Sequence, residues 1–206
     1  MFGNETKRQG LLVVISGPSG AGKGTICERI RAELPQLGYS VSATTRAPRQ
    51  GEIDGKSYFF KTVEEFETMI QKGELLEYAN VYGNYYGTPK QYVLDILEGG
   101  YDVLLEIDVQ GAMQVKKNYP QCVLVFIAPP SLEELRNRLE GRRTDSQEVI
   151  ERRMAAANEE LKLAENYDYV VVNNIVAEAT DQILAILAAE RTKAIRNLDV
   201  VEALFK

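Results

Sequence analysis

A glycine-rich turn between an apolar run and an amphipathic segment constrains the fold of this 206-residue chain more than any other feature. Residues 11–15 are continuously apolar, as expected for a fully buried strand. After the turn, Ile26, Ile30 and Leu34 recur at four-residue spacing, which predicts a helix with one buried face. The turn itself spans residues 16–25 and reads Ser-Gly-Pro-Ser-Gly-Ala-Gly-Lys-Gly-Thr. A buried strand followed by a helix favours a sheet that is covered by helices.

This turn has the composition of a phosphate-binding loop. Its glycines let backbone N–H groups converge on phosphate oxygens, and the following helix adds the positive end of its dipole. Lys23 can then reach the β- and γ-phosphates as a point charge. The residues predicted to bind a nucleoside triphosphate in this loop are Gly17, Pro18, Ser19, Gly20, Ala21, Gly22, Lys23, Gly24 and Thr25. The alternative is a glycine-rich turn without function, which the four glycines, the lysine and the flanking elements disfavour.

One position departs from the usual phosphate loop. Such loops place serine or threonine directly after the lysine, where the hydroxyl meets Mg²⁺. Gly24 stands there, and Thr25 follows it. The sequence therefore leaves open which hydroxyl would meet a Mg²⁺ ion at this loop.

Composition excludes several chemistries. The chain has no histidine, which excludes a Ser-His-Asp triad, an imidazole base and a histidine-ligated zinc ion. Cys27 and Cys122 are too few for a four-thiolate metal site or a disulfide framework, and we expect both to be buried and reduced. A net charge of −6 argues against an extended surface for nucleic acid or anionic membrane, without excluding local basic patches.

The sequence also bears on location. Residues 1–8 contain no apolar run, so no signal peptide is expected. No stretch approaches the roughly 18 continuous apolar residues that a membrane span needs. We therefore expect a soluble, cytoplasmic protein with no membrane or nucleic-acid partner. The oligomeric state stays open, with a homo-oligomer as one alternative.

Further apolar runs alternate with helical patterns along the chain. Residues 123–127 and 169–172 read as buried strands, and residues 103–107 are apolar except for Glu106. Continuous runs of this length, separated by helices, predict an α/β fold with a mostly parallel sheet flanked by helices. Residues 42–87 break the pattern, because they are polar and contain one good helix, and we interpret them as an insertion with short, partly antiparallel strands.

Capping residues predict where several helices begin. Thr62 opens a capping-box pattern, and Thr88 before Pro89 is a predicted N-cap. Asp145 is predicted to open a long helix, and a last helix is predicted from about Thr180.

The insertion contains groups that could hold a phosphate monoester. Arg46 and Arg49 lie three residues apart, and two guanidinium groups there could grip one phosphate. Taken alone, two loop arginines are more often simply solvated. Glu77, Tyr85 and Tyr86 add a carboxylate and two rings, although a tyrosine cluster is usually a packing feature.

The segments that carry these residues resemble guanylate kinases. The matching segments are Gly17-Pro18-Ser19-Gly20, Ser42-Ala43-Thr44-Thr45-Arg46 with Pro48-Arg49, Gly83-Asn84-Tyr85-Tyr86-Gly87, Glu106-Ile107-Asp108 with Gln110-Gly111, and Ile127-Ala128-Pro129-Pro130. They stand in family order from residue 11 to about residue 175. The resemblance implies transfer of the ATP γ-phosphoryl group to GMP or dGMP, giving ADP and a guanosine diphosphate, with Mg²⁺.

The resemblance also implies a division of the chain. The expected fold is a P-loop NTPase core with an inserted nucleoside-monophosphate-binding subdomain and a helical lid. The core would comprise residues 1–41 and 97–206, with the lid at about 131–157. The GMP-binding subdomain would comprise residues 42–96.

Nine residues are expected to bind GMP by this resemblance. For the phosphate they are Arg46, Arg49, Tyr58 and Tyr86, with Glu52 as a polar neighbour. For the guanine they are Ser42, Glu77, Thr88 and Asp108. Carboxylates only accept hydrogen bonds, so Glu77 and Asp108 suit the ring N–H and exocyclic amine of guanine and reject adenine, which presents an acceptor.

Arginines gather between residues 131 and 153. Arg136 and Arg152 are predicted to pair with glutamates on a solvated helix face. The resemblance implies five catalytic residues, namely Lys23, Arg46, Arg138, Arg142 and Arg153. It leaves open whether Arg142 or Arg143 makes the main lid contact, and it places Asn173 in the ATP site.

Three alternatives remain at this point. A guanylate-kinase-like protein-interaction module without catalysis shares the fold, although such modules typically have degenerate phosphate loops. A related kinase for another phosphorylated sugar or nucleotide would have no use for the guanine-facing residues. A nucleic-acid-binding ATPase is disfavoured by the acidic balance of the chain.

Overall fold

The computed structural model describes residues 9–81, 83–141 and 146–205. Within these ranges the strands are β1 (Leu12–Ser16), β2 (Gly38–Tyr39), β3 (Ala43–Thr44), β4 (Phe59–Phe60), β5 (Leu75–Val81), β6 (Asn84–Pro89), β7 (Val103–Glu106), β8 (Val123–Ala128) and β9 (Tyr169–Val172). The α-helices there are α1 (Lys23–Glu33), α2 (Val63–Gln71), α3 (Lys90–Glu98), α4 (Val109–Asn118), α5 (Leu132–Gly141), α6 (Gln147–Lys162), α7 (Val176–Arg191) and α8 (Leu198–Ala203). Short 3₁₀ helices cover Leu163–Asn166 and Ala194–Arg196.

The first strand lies at the centre of a parallel sheet. The strand order is β2-β7-β1-β8-β9, and each neighbouring pair is parallel. Val14 of β1 pairs with Leu105 of β7 on one side and Leu124 of β8 on the other. Helices α1 and α7 pack on one face and α3 and α4 on the other, which explains why the central strands are continuously apolar. The predicted α/β fold with a mostly parallel sheet is confirmed.

A second, smaller sheet lies within the residues interpreted as an insertion. Its order is β4-β3-β6-β5, with β3 and β4 parallel and the other two pairs antiparallel. Phe66 of α2 is fully buried in this region and stacks on Tyr85 at 5.2 Å between ring centroids. A register shift in β5 between Leu75 and Glu77 breaks the in-out alternation, and Leu75, Leu76 and Glu77 are all buried. The bulge thereby places a carboxylate in the interior.

Helices α5 and α6 form a small pair with its own apolar interior. Leu135, Leu139, Ile150 and Met154 are buried between them. These helices occupy the range predicted to act as a lid. The division of the chain at residues 42 and 96, and the closing motion of the lid, stay predictions.

One predicted helix start is confirmed and another is wrong. Thr62 caps α2 with a reciprocal capping box. Thr88, however, lies in β6, which continues to Pro89, and α3 has no side-chain cap. The Thr88 hydroxyl donates to Glu77 across the sheet, so a tertiary partner takes the group that the sequence pattern assigned to capping.

Two other helix starts differ from the prediction. Asp145 lies outside the described residues, and Ser146 is the N-cap of α6, its hydroxyl accepting from the Val149 N–H at 3.4 Å. The predicted last helix begins at Val176, four residues before Thr180. No side chain caps α7, so the sequence carries no local signal for its first turn.

Two expectations from composition can be compared with the structure. Cys27 and Cys122 are buried free cysteines, as predicted. Burial raises the pKa of the Cys122 thiol to about 11, which keeps it protonated and unreactive at neutral pH. In the described ranges, no helix combines the length and apolar character required to traverse a bilayer.

Candidate active site

The phosphate loop connects the end of β1 to the start of α1 and depends on glycine at two positions. Gly20 and Gly22 both have a φ of 92°, a left-handed conformation that costs glycine little. A Cβ atom at Gly20 would lie 3.0 Å from both Leu135 and Leu139 of α5. A Cβ atom at Gly22 would lie 2.3 Å from Asn173 Nδ2. The loop is therefore packed against α5 and against the residue that follows β9.

Lys23 folds back over the loop that precedes it. Its Nζ donates to the carbonyl oxygens of Gly17 at 2.5 Å and Pro18 at 3.0 Å. Two backbone carbonyls thus orient the ammonium group at the loop, where phosphate oxygens would be its natural partners.

The charges of carboxylates from three elements act on this lysine. Burial lowers the pKa of Lys23, and the charges of Glu106, Glu160 and Asp108 act in the opposite direction. Glu106 ends β7, Asp108 caps α4 and Glu160 belongs to α6. Glu106 Oε1 lies 3.5 Å from where a Cβ atom of Gly24 would stand. Neither Glu106 nor Glu160 was predicted as a site residue, although Glu106 is the one polar residue in its apolar run.

Glu77, Thr88 and Asp108, three of the residues predicted to line the guanine, lie close together. The Thr88 hydroxyl donates to Glu77 Oε1 at 2.6 Å, and both side chains are buried. Burial raises the pKa of Glu77 to about 7, and the nearby charge of Asp108 adds to the shift. A Cβ atom at Gly111 would lie 3.1 Å from Glu77 Oε2 and 3.4 Å from Asp108 Oδ1, so the two carboxylates face the same small space.

The other predicted guanine contacts are placed by different elements. Asp108 caps α4, its Oδ1 accepting from the Gly111 N–H at 2.7 Å, and this fixes the carboxylate at the helix start. Ser42 is half-buried directly before β3, and its carbonyl accepts from the Phe59 N–H. Oδ1 of Asp108 is therefore engaged at the start of its own helix.

The predicted phosphate-binding arginines of the insertion are held by one carboxylate. Arg46 Nη2 donates to both Glu52 oxygens, at 2.8 and 3.0 Å. The Arg49 backbone N–H donates to Glu52 Oε2 at 2.7 Å. The Arg46 hydrogen bond is the main reason that the pKa of Glu52 lies below its usual value, with Arg49 adding to the effect. Glu52 therefore positions Arg46 and the backbone of Arg49, while the Arg49 side chain is exposed.

Two tyrosines complete this group. The Arg46 guanidinium lies 5.4 Å from the centroid of the Tyr58 ring. The Tyr58 and Tyr86 rings meet edge to face at 6.1 Å. The structure thus brings together Arg46, Glu52, Tyr58 and Tyr86.

The predicted lid arginines have different outcomes. Arg138 donates from Nε to Glu134 at 2.9 Å and from Nη2 to the carbonyl of Asn173 at 3.0 Å. Arg153 is half-buried on α6. Arg142 lies outside the described residues, as does Arg143.

The two arginines predicted to be merely structural do pair with glutamates. Arg136 makes a two-pronged contact with Glu151, which joins α5 to α6. Arg152 lies 3.8 Å from Glu148 on the same helix, and both are well exposed. Both predictions are confirmed.

Asn173 lies against the phosphate loop. Its Nδ2 donates to the Ala21 carbonyl at 2.7 Å, and only 2% of the residue is exposed. Its own N–H donates to the Ala128 carbonyl at 2.8 Å, which continues the β8–β9 pairing by one residue.

Comparison with known proteins identifies a single family. The family model described as guanylate kinase matches residues 9–190. The chain is 55% identical over 194 residues to a guanylate kinase of Caldanaerobacter subterraneus subsp. tengcongensis, covering 94% of each protein. It is 53% identical to a guanylate kinase of Halalkalibacterium halodurans, covering 94% of this chain and 95% of that protein. Its fold is similar to the crystal structure of guanylate kinase from Anaplasma phagocytophilum, with a TM-score of 0.70, 38% identity and coverage of 92% and 90%.

Proposed function

The chain belongs to the guanylate kinase family, and we infer that it transfers the γ-phosphoryl group of ATP to GMP, giving ADP and GDP. We propose dGMP as a weaker acceptor. Lys23 and the loop glycines are all in place, and no observation favours a protein-interaction module without catalysis.

The position of Asp108 between two groups carries this proposal. Its charge acts on Lys23 of the phosphate loop and on Glu77 of the pocket. Asp108 therefore lies near both the loop and the pocket, and a nucleoside triphosphate at the loop and a second nucleotide in the pocket would meet beside it.

The pocket suits guanine for a chemical reason. The carboxylates of Glu77 and Asp108 would accept from the ring N–H and the exocyclic amine, and Ser42 would donate to the base carbonyl. The single O–H of Thr88 donates to Glu77, so it would have to turn away from that carboxylate to serve the base carbonyl instead. Adenine would bring an acceptor against a carboxylate and leave buried polar groups unpaired. The GMP phosphate would bind Arg46, Arg49, Tyr58 and Tyr86 of the inserted sheet and its loops.

The reaction needs positioning and charge neutralisation more than proton transfer. A phosphate oxygen of GMP attacks the γ-phosphorus of ATP, and the bond from that phosphorus to the β–γ bridging oxygen breaks to leave ADP. The attacking oxygen already carries charge, so no general base is required. Lys23, Arg46 and Arg138 would neutralise the transferring group, with Arg142 and Arg153 proposed to join them.

Mg²⁺ is proposed to arrive with ATP. Among the described residues, no three Asp, Glu, Cys or His side chains form a group that could hold a metal ion. Mg²⁺ on a nucleotide needs few protein ligands, because phosphate oxygens and water fill most of its coordination sites. The Glu106 carboxylate beside Gly24 and the exposed Thr25 hydroxyl are oxygen donors that fit this role. When bound, the ion would neutralise charge on the β- and γ-phosphates.

A coupled assay of ADP release tests the proposed function. With ATP and Mg²⁺ present, GMP should be the best acceptor among the four nucleoside monophosphates. AMP should be poorer by roughly 10⁴-fold in kcat/KM, because a site built from hydrogen-bonding groups rejects a mismatched base strongly. Equal rates with AMP and GMP would contradict the assignment of Glu77 and Asp108 to base recognition.

A further inference from the structure

We propose that Asn173 is a positioning residue that fixes the phosphate loop and the lid arginine Arg138 relative to one another, rather than a contact for the adenine base. This inference rests on the proposed ATP site and goes beyond it. It assigns to one buried residue, through its side-chain amide and its backbone carbonyl, the geometry of two groups that would contact the phosphates.

Asn173 stands where three elements meet. Its side-chain amide donates to Ala21 in the middle of the phosphate loop, at 2.7 Å. Its backbone carbonyl accepts from Arg138 Nη2 of α5, at 3.0 Å. Its backbone N–H donates to Ala128, the last residue of β8, at 2.8 Å. A displacement of this residue would therefore reach the loop and the arginine together.

Glycine at position 22 of the phosphate loop leaves room for the side-chain amide of Asn173. Gly22 lies so close that a Cβ atom there would be 2.3 Å from Asn173 Nδ2. The φ of 92° at Gly22 turns the chain into α1, directly before Lys23. The contact of Asn173 with Gly22 thus supports the phosphate loop directly before Lys23.

The side-chain oxygen of Asn173, Oδ1, is buried and out of reach of a ligand. Asn173 Oδ1 is buried and has no hydrogen-bond partner among the described residues. An unpaired buried acceptor costs about 1–3 kcal/mol, so the amide is a poor choice for packing alone. Because Oδ1 has no exposure, an adenine base could reach it only after a rearrangement of the loop.

The remaining link runs through the lid helix. Arg138 is held from the other side by Glu134, which is one turn earlier on α5. Leu135 and Leu139 of the same helix lie against Gly20 of the phosphate loop. Glu134 therefore holds Arg138 from its own helix, and the carbonyl of Asn173 sets the direction of the guanidinium group.

The experiment separates phosphate positioning from base contact with a ligand that has no base. Calorimetry would measure the Kd of ATP and of inorganic tripolyphosphate, each with Mg²⁺, for the wild type and for Asn173→Ala and Asn173→Leu. Steady-state assays would give kcat and the KM for GMP. The exposed neighbour Asn174 supplies the matched control, Asn174→Ala.

We expect both Asn173 variants to weaken ATP and tripolyphosphate by the same factor, about tenfold, and to lower kcat by about tenfold. The KM for GMP should stay within about twofold, and Asn174→Ala should match the wild type in every value. The leucine variant keeps the branched shape of the side chain without the amide, so it serves if the alanine variant does not fold. Thermal unfolding would identify the folded variants before the binding data are read.

Two results would overturn the proposal. Weaker binding of ATP with unchanged tripolyphosphate would assign Asn173 to the adenine. A lower melting temperature with unchanged Kd values and unchanged kcat would make Asn173 a structural residue only. If the wild type failed to phosphorylate GMP, the proposed function would fall, while the tripolyphosphate comparison would still decide the role of Asn173.

Discussion

The hydroxyl of Thr88 donates a 2.6 Å hydrogen bond to Glu77 Oε1 across the antiparallel pair of β5 and β6. Both side chains are almost completely buried. The bulge in β5 holds Glu77 in this position, and burial there raises its pKa to about 7. The carboxyl group therefore changes its charge near neutral pH.

This shift predicts how stability depends on pH. The folded protein holds a proton on Glu77 with a pKa of about 7, against an ordinary value of 4.5, so the folded state binds that proton more tightly than the unfolded state. The contribution of Glu77 to the free energy of unfolding is therefore fully present below pH 4.5, and it is lost as the pH rises through about 7. The loss is at most about 3 kcal/mol. Glu77→Gln removes the titration and should make the protein more stable above pH 7.

Urea unfolding at pH 5 and pH 8 checks this prediction. The wild type should lose more stability between the two pH values than Glu77→Gln does. Glu74→Gln, at an exposed position three residues earlier, provides the control and should follow the wild type. Parallel pH dependence in wild type and Glu77→Gln would show that the carboxyl group is not perturbed in this way.

Local patterns account for the parts of the fold that local contacts determine. The phosphate loop is visible in the sequence because its glycines and Lys23 must follow one another without interruption between a strand and a helix. The α2 capping box is visible for the same reason, since Thr62 and Glu65 satisfy each other's backbone groups.

Contacts between distant segments were not predictable in this way. Thr88 has the pattern of an N-cap, and only the pairing of β5 with β6 shows that its hydroxyl serves Glu77. Glu160 belongs to a charged helix, and nothing in the sequence around it indicates that its charge acts on Lys23. Such roles depend on the way separate elements pack, which carries no periodic or motif signal.

The lysine of the phosphate loop should be indispensable for turnover and not for folding. Lys23→Ala removes a positive charge that would act on the β- and γ-phosphates, and we expect kcat to fall by on the order of 10³-fold. In the described part of the chain, the hydrogen bonds of this side chain go to two backbone carbonyls, at 2.5 and 3.0 Å, and these join it to its own loop, so the fold should persist. Single-turnover kinetics and thermal unfolding of the same sample provide the measurements.

The control for this change is an exposed helical lysine. Lys117→Ala removes the same charge from α4 and should leave kcat unchanged. A near-normal kcat for a folded Lys23→Ala protein would remove the phosphate-loop assignment.

A methyl group at Gly111 should disturb GMP and spare ATP. The added Cβ of Gly111→Ala would lie 3.1 Å from Glu77 Oε2, so the carboxylate must move by a few tenths of an ångström. We expect the KM for GMP to rise about tenfold, because recognition of the base depends on the position of the carboxylate. Initial-rate measurements with each substrate varied in turn would show the difference.

The neighbouring substitution Gln110→Ala tests the same helix without this contact. Gln110 is exposed on α4, so its replacement should leave both KM values near those of the wild type. Equal increases in the two KM values for Gly111→Ala would point to a distorted helix instead of a displaced Glu77.

Restoring the missing hydroxyl at Gly24 should strengthen the response to Mg²⁺. A side chain fits there, since an added Cβ would make an ordinary 3.5 Å contact with Glu106 Oε1. Gly24→Ser supplies the oxygen that phosphate loops usually direct at the metal, so the half-saturating Mg²⁺ concentration should fall by about threefold. Gly24→Ala changes the backbone in the same way but adds no oxygen. Its half-saturating Mg²⁺ concentration should therefore equal that of the wild type. Titration of Mg²⁺ at fixed ATP and GMP measures both variants, and equal shifts in the two would show that helix stability, not a metal ligand, is responsible.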